Sequence, residues 1–107
     1  MKKVNAFICK NAKEINRVIE SLNFAAIGHK SVGCDGYTLI YANYSWKWGE
    51  GMRGDVQQAN AFVCETFGEL RDVRESLEMV GVEYTKVDDE ANECWVVYVK
   101  REDYLWK

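Results

Sequence analysis

Residues Asn5 to Leu22 recur, without a gap, as Asn60 to Leu77. Nine of the 18 aligned pairs are identical: Asn5/Asn60, Ala6/Ala61, Phe7/Phe62, Cys9/Cys64, Glu14/Glu69, Val18/Val73, Glu20/Glu75, Ser21/Ser76 and Leu22/Leu77. Ile8/Val63 and Ile15/Leu70 are conservative exchanges, and chance supplies only about one identity in a window this long. A chain that carries the same segment twice must bury two equivalent apolar surfaces. That requirement constrains the fold more than any other feature.

Each copy reads as a strand followed by a helix. Val4 to Cys9 and Ala59 to Cys64 are short apolar runs that suit buried strands. Asn11 with Glu14, and Thr66 with Glu69, have the form of a capping box. The cap side chain accepts from a first-turn N–H, and the glutamate is expected to reach back to the cap residue's own N–H. Ile15, Val18, Ile19 and Leu22 then form one apolar stripe at helical spacing, and Leu70, Val73 and Leu77 repeat it with Phe67 as a first-turn contact.

The rest of each copy is β-like. A strand over Ala25 to Ser31 is expected to end at a Gly33-Cys34-Asp35-Gly36 turn, and Tyr37 to Trp48 has high strand propensity. In the second copy Val82 to Val87 leads into a polar turn, Asp88 to Asn92, and Cys94 to Val99 is the clearest strand. Leu39-Ile40-Tyr41 aligns with Val96-Val97-Tyr98 at an offset of 57 rather than 55, so the second copy has gained about two residues. At 107 residues, with 48% of them apolar, the chain predicts a single domain over residues 1–107, built from repeats at about 1–52 and 56–107. The expected class is α+β, a ferredoxin-like sandwich of an antiparallel sheet with two helices on one face. The duplicated strand–helix–strand–strand order is also similar to that of drug-sensing gyrase-inhibitor-like domains; the similarity is in element order alone and implies no particular residue.

Charge is divided between the copies. Residues 1–52 hold seven Lys or Arg against four Asp or Glu, and residues 53–107 hold seven against thirteen, so +3 and −6 make the net −3. A nucleic-acid binder draws much of its affinity from a basic face, so this balance makes nucleic acid an unlikely partner. Acidic side chains gather at Asp88, Asp89, Glu90 and Glu93, a candidate patch for a basic groove on a partner. Gly36 to Ala42 resembles the aromatic third-strand motif of RNA-recognition domains, and Ala6-Phe7-Ile8 their first-strand motif. Leu39 and Ala42 replace aromatic positions of that pattern, and Asp35 stands where a basic residue belongs.

Reactive chemistry has few candidates. The four cysteines are 25, 30 and 30 residues apart and form no close metal or redox pair, so they read as reduced thiols, with Cys9 and Cys64 as small core hydrophobes. His29 is the only imidazole and reads as a surface or structural residue. Gly49, Gly51 and Gly54 match a dinucleotide-binding spacing, but no βαβ unit opens after them. No catalytic residue, metal site or cofactor is assigned. No apolar run approaches the ~20 residues that span a bilayer, and polar residues interrupt any leader after the basic start, so a cytoplasmic location without membrane association is expected.

The remaining feature is aromatic. Two three-turn helices cannot cover all the large aromatic groups, so some of Tyr41, Tyr44, Trp46, Trp48, Trp95 and Trp106 are expected on an open sheet face or in loops. Candidate partner-binding residues are Tyr44, Trp46, Lys47, Trp48, Glu50, Met52, Arg53 and Trp106, centred on a glycine-rich stretch between the copies. The expected function is non-catalytic binding of a macromolecule, of the kind phage-encoded inhibitors of host enzymes or bacterial defence complexes perform. A sensor of aromatic cations is the alternative, single-stranded RNA binding the third, and a free strand edge would permit a homodimer.

Overall fold

The computed structural model describes residues 1–43 and 56–100. Its elements run β1 (Lys2–Cys9), α1 (Ala12–Phe24), β2 (His29–Cys34), β3 (Tyr37–Asn43), β4 (Gln57–Cys64), α2 (Phe67–Met79), β5 (Thr85–Asp89) and β6 (Cys94–Lys100). Strand, helix, strand, strand therefore occurs twice, and both helices have 13 residues. All six strands join one antiparallel sheet in the order β2-β3-β1-β4-β6-β5. The class is α+β, as expected.

The two halves meet along β1 and β4, where Asn5 pairs with Asn60, Ala6 with Ala59 and Val4 with Ala61. Asn5 and Asn60 are also equivalent positions of the repeat. An approximate two-fold axis therefore passes through the sheet at that buried pair. It divides the molecule into a near end, where β1 begins and β4 finishes, and a far end, where β1 finishes and β4 begins.

Both helices pack on one face, as the stripes predict. Val18 and Leu22 of α1 cover Phe7, Cys9 and Ile40, with Ile15 and Ile19 at the margin. Leu70, Val73 and Leu77 of α2 cover Phe62, Cys64, Val97 and Val99. Asn11 and Thr66 cap their helices through Oδ1 and Oγ1, accepting from the N–H of Glu14 at 2.9 Å and Glu69 at 3.1 Å. The glutamates, however, accept from the N–H of Lys10 (2.6 Å) and Glu65 (2.9 Å), one residue before the cap. Those amides are the first beyond the ends of β1 and β4, where the ladder no longer supplies an acceptor.

The helix ends correct two strand boundaries. Ala26 and Gly81 both take positive φ, 58° and 73°. Their N–H groups donate to the carbonyls of Asn23 and Glu78, and those of Ile27 and Val82 to Leu22 and Leu77, which is a Schellman motif in each copy. Residues 25–28 are thus used by the cap, and β2 starts at His29 rather than Ala25; likewise β5 starts at Thr85 rather than Val82. Gly33 and Cys34 belong to β2, and the turn is the two residues Asp35 and Gly36, with Gly36 at φ 85°. The matching turn between Asp89 and Cys94 has four residues, so the two-residue gain lies there. Asp88 and Asp89, expected in that turn, lie in β5 instead.

The opposite face of the sheet is not open. Ala6, Leu39, Ala59, Ala61 and Val96 are wholly buried there without any helix above them, and Val4, Tyr41 and Tyr98 nearly so. The sheet curls until its outer strands approach each other, so that this face becomes an interior. Tyr41 and Tyr98 are 4% and 6% exposed, so Tyr41 is not among the aromatic residues expected in part on an open sheet face or in loops.

Candidate functional site

The interior is closed by two hydroxyl contacts related by the two-fold axis. At the near end the Tyr41 hydroxyl donates to Asp89 Oδ2 at 2.5 Å, with Cys94 Sγ 4.0 Å away. At the far end the Tyr98 hydroxyl donates to that of Tyr37, with Cys34 alongside. With the offsets of 55 and 57, Tyr41 corresponds to Tyr98, Asp89 to Cys34 and Cys94 to Tyr37. Each closure is thus a tyrosine of one half reaching the outer strands of the other half. Only the near one is built around a carboxylate.

Asp89 is 4% exposed. Besides Tyr41 it accepts from Asn92 Nδ2 at 2.8 Å and from the Asn92 backbone N–H at 3.2 Å. Burial pushes its carboxyl upward, but these hydrogen bonds and the Lys30 charge outweigh that and hold it below the ordinary carboxylate range. Burial, then the Asp89 bond, pushes the Tyr41 hydroxyl well up. Asp89 therefore leaves the predicted acidic patch: it is an inward structural anion, because its position in β5 faces the interior. Asp88, Glu90 and Glu93 remain exposed, with Asp88 3.9 Å from Lys86.

A cleft of about 330 Å³ opens at this near end, lined by Lys2, Val4, Gly28, His29, Lys30, Tyr41, Ala42, Val63 and Glu65. Side chains alternate along a strand, so Lys2 continues the inward row of Val4 and Ala6, Lys30 that of Val32, and Glu65 that of Val63 and Ala61. The rows at the near end thus finish in lysines on β1 and β2, and in carboxylates on β5 and just past β4. At the far end the equivalent positions are Gln57, Thr85, Cys34 and Lys10. The two-fold is broken where charge meets the mouth.

The other chemically active side chains are engaged elsewhere. Cys9 and Cys64 are buried, and burial followed by the nearby Glu14 or Glu69 pushes each thiol up to about 11, as core hydrophobes would be. His29 Nε2 lies 3.1 Å from Asn23 Oδ1, and Cys34 sits on the opposite face of β2. Among the described residues no cluster of three or more His, Cys, Asp or Glu could hold a metal ion, and no helix is long and apolar enough to cross a membrane.

Of the predicted partner-binding residues, Tyr44, Trp46, Lys47, Trp48, Glu50, Met52, Arg53 and Trp106 lie outside the described residues. Trp95 is on the helix face, half-buried, its ring centroid 4.7 Å from that of Phe67. Phe67 is 76% exposed and packs on Trp95 rather than joining the helix core. Sequence reasoning did not bring Lys2, Lys30 and Glu65 to one cleft, nor turn Asp89 inward. The available signal was that each charge ends an alternating apolar row. No family model, curated protein or solved structure matches the chain.

Proposed function

We propose that this is a non-catalytic binding protein that acts by covering a surface on a macromolecular partner, with the near end as its contact surface. The observation that carries this reading is apolar exposure. Phe24, closing α1, is 95% exposed, and the Phe67–Trp95 pair, where α2 opens, stands at the same end. Exposed aromatics of this size are costly in water and are enriched at binding hot spots. The acidic turn with Glu90 and Glu93 adds a charged rim. β3 finishes at this end too, so the candidate segment Tyr44 to Arg53 is joined to it in sequence.

We read the two halves as copies of one strand–helix–strand–strand module. In that reading the protein is a single domain whose curled sheet departs from a flat, ferredoxin-like sandwich. Among the described residues Ala6, Leu39, Tyr41, Ala61, Val96 and Tyr98 fill the centre of the interior, which favours the interaction reading over the sensor of aromatic cations. Inhibition of a host enzyme or a bacterial defence complex, by a protein of phage type acting in the cytoplasm, is the role such a small module suits.

The test is affinity purification from bacterial lysate with mass spectrometry, using the wild-type chain and the double variant Phe24→Ser, Phe67→Ser. A stoichiometric protein recovered by the wild type and lost by the variant, with unchanged circular dichroism, supports the reading. Recovery of no such partner, or equal recovery by both, overturns it. The pair Trp46→Ala, Trp48→Ala tests the joined segment in the same assay.

A further inference from the structure

The sheet ends in β2 on one side and β5 on the other, and among the described residues each pairs with a single neighbour. Side chains on the interior face bridge the curled sheet, but no ladder joins β2 to β5. An edge strand keeps every second N–H and C=O turned outward, where another strand can pair with them. The two edges differ in the side chains they offer. β5 is Thr85-Lys86-Val87-Asp88-Asp89, with Lys86 and Asp88 exposed and 3.9 Å apart. Val87, between them, is half-buried against the interior.

We propose that β5 pairs with the β5 of a second copy of this chain, antiparallel and centred on Val87, to make a homodimer. A two-fold axis normal to the sheet keeps each face on its own side, so the axis must pass beside a residue and not between two. Centred on Val87, all five residues of β5 are used. Lys86 of each copy then lies opposite Asp88 of the other, Thr85 opposite Asp89, and Val87 opposite itself. With the Lys86–Asp88 pair already within each strand, the four charges alternate in sign around a ring. The neighbouring registers, centred on Lys86 or on Asp88, set two lysines or two aspartates directly opposite, which is destabilising. Charge thus specifies both the partner and the register. β2 has no such self-match: its one charge, Lys30, would meet Val32, Cys34 or a second Lys30. The chain already joins its own halves in this geometry, β1 against β4 about the axis at Asn5 and Asn60. Because the paired strands run oppositely, the near ends of the two copies point away from each other and both stay open. The dimer does not depend on the macromolecular reading of that end.

Sedimentation velocity over about 10 µM to 1 mM measures the association. Five residues of strand edge bury little area, so half the chains should be paired at roughly 0.1 to 1 mM, and fewer as salt rises. Lys86→Glu and Asp88→Lys each turn two matched pairs into like charges and should each weaken association about tenfold or more, with unchanged circular dichroism. Mixing these two variants should restore it as a heterodimer, and the double variant Lys86→Glu, Asp88→Lys should self-associate like the wild type. Lys13→Glu, the same change of charge on an exposed part of α1, should have no effect. Dilution of the ¹⁵N-labelled chain should move the amides of Thr85 to Asp89 and leave those of Ser31 and Phe67 in place. A chain still monomeric at about 1 mM overturns the proposal. A dimer indifferent to both single variants, a mixture no better associated than its parts, or shifts centred on β2 or on Phe24 and Phe67 would overturn it as well.

Discussion

Ala26 and Gly81 occupy the same position in their helix caps, yet only glycine takes a left-handed backbone without strain. An alanine there costs about 1 kcal/mol or more, partly offset because glycine gives the unfolded chain more freedom. Ala26→Gly should therefore stabilise the protein by about 0.5 kcal/mol, and Gly81→Ala should destabilise it by a similar amount. A Cβ at Gly81 meets nothing within 4 Å, so the cost there is in the backbone alone. Urea midpoints of both variants decide it. Asp89 is the other residue with a sharp expectation. Asp89→Ala leaves the buried Tyr41 hydroxyl without its acceptor and should cost about 1–3 kcal/mol. Since the folded carboxyl titrates below its unfolded value, its contribution is present at neutral pH and above. It is lost as pH falls below the ordinary value of about 4 and through the folded one. The stability gap between wild type and Asp89→Asn should accordingly shrink in acid.

At the level of elements the two helices behave as one design used twice. Each has a side-chain cap, a glutamate turned back on the preceding strand, a buried stripe and a Schellman end. Asn11→Ala and Thr66→Ala should each cost about 1 kcal/mol. The caps lie at opposite ends of the sheet, so the double variant should cost their sum. Thermal or urea unfolding of the three variants checks this, and a clear excess in the double would mean that the helices are coupled. The side-chain caps and the buried stripes were legible beforehand because capping and 3.6-residue spacing are local. The start of β2 was misplaced because the Schellman turn before it depends on Ala26 accepting a backbone conformation its side chain disfavours. Nothing in the residues Ala25-Ala26-Ile27 announces that.

At the scale of the molecule, closure of the interior rests on hydroxyls that cross from one half to the other. Burial first, then the contacts with Tyr98 and Asp89, pushes the Tyr37 and Tyr41 hydroxyls up, and burial raises Tyr98 against the pull of its own hydrogen bonds. A raised folded value means that the stabilisation is complete below the unfolded value of about 10 and is lost at higher pH. Alkaline titration of phenolate absorbance should therefore show Tyr37, Tyr41 and Tyr98 ionising together with loss of circular dichroism. Ionisation of all six tyrosines before any structural change would contradict the closed interior. By itself the sequence determined that a strand–helix–strand–strand order occurs twice, which residues face the helices, where the helices are capped and that Cys9 and Cys64 are core. Each of these follows from spacing within a short stretch. Only the tertiary structure decided that the second sheet face is an interior, that Asp89 turns inward, and that Lys2, Lys30 and Glu65 share a mouth. Alternation along a strand sorts residues into two faces. The curvature of the whole sheet, which no single strand encodes, then decides what each face meets.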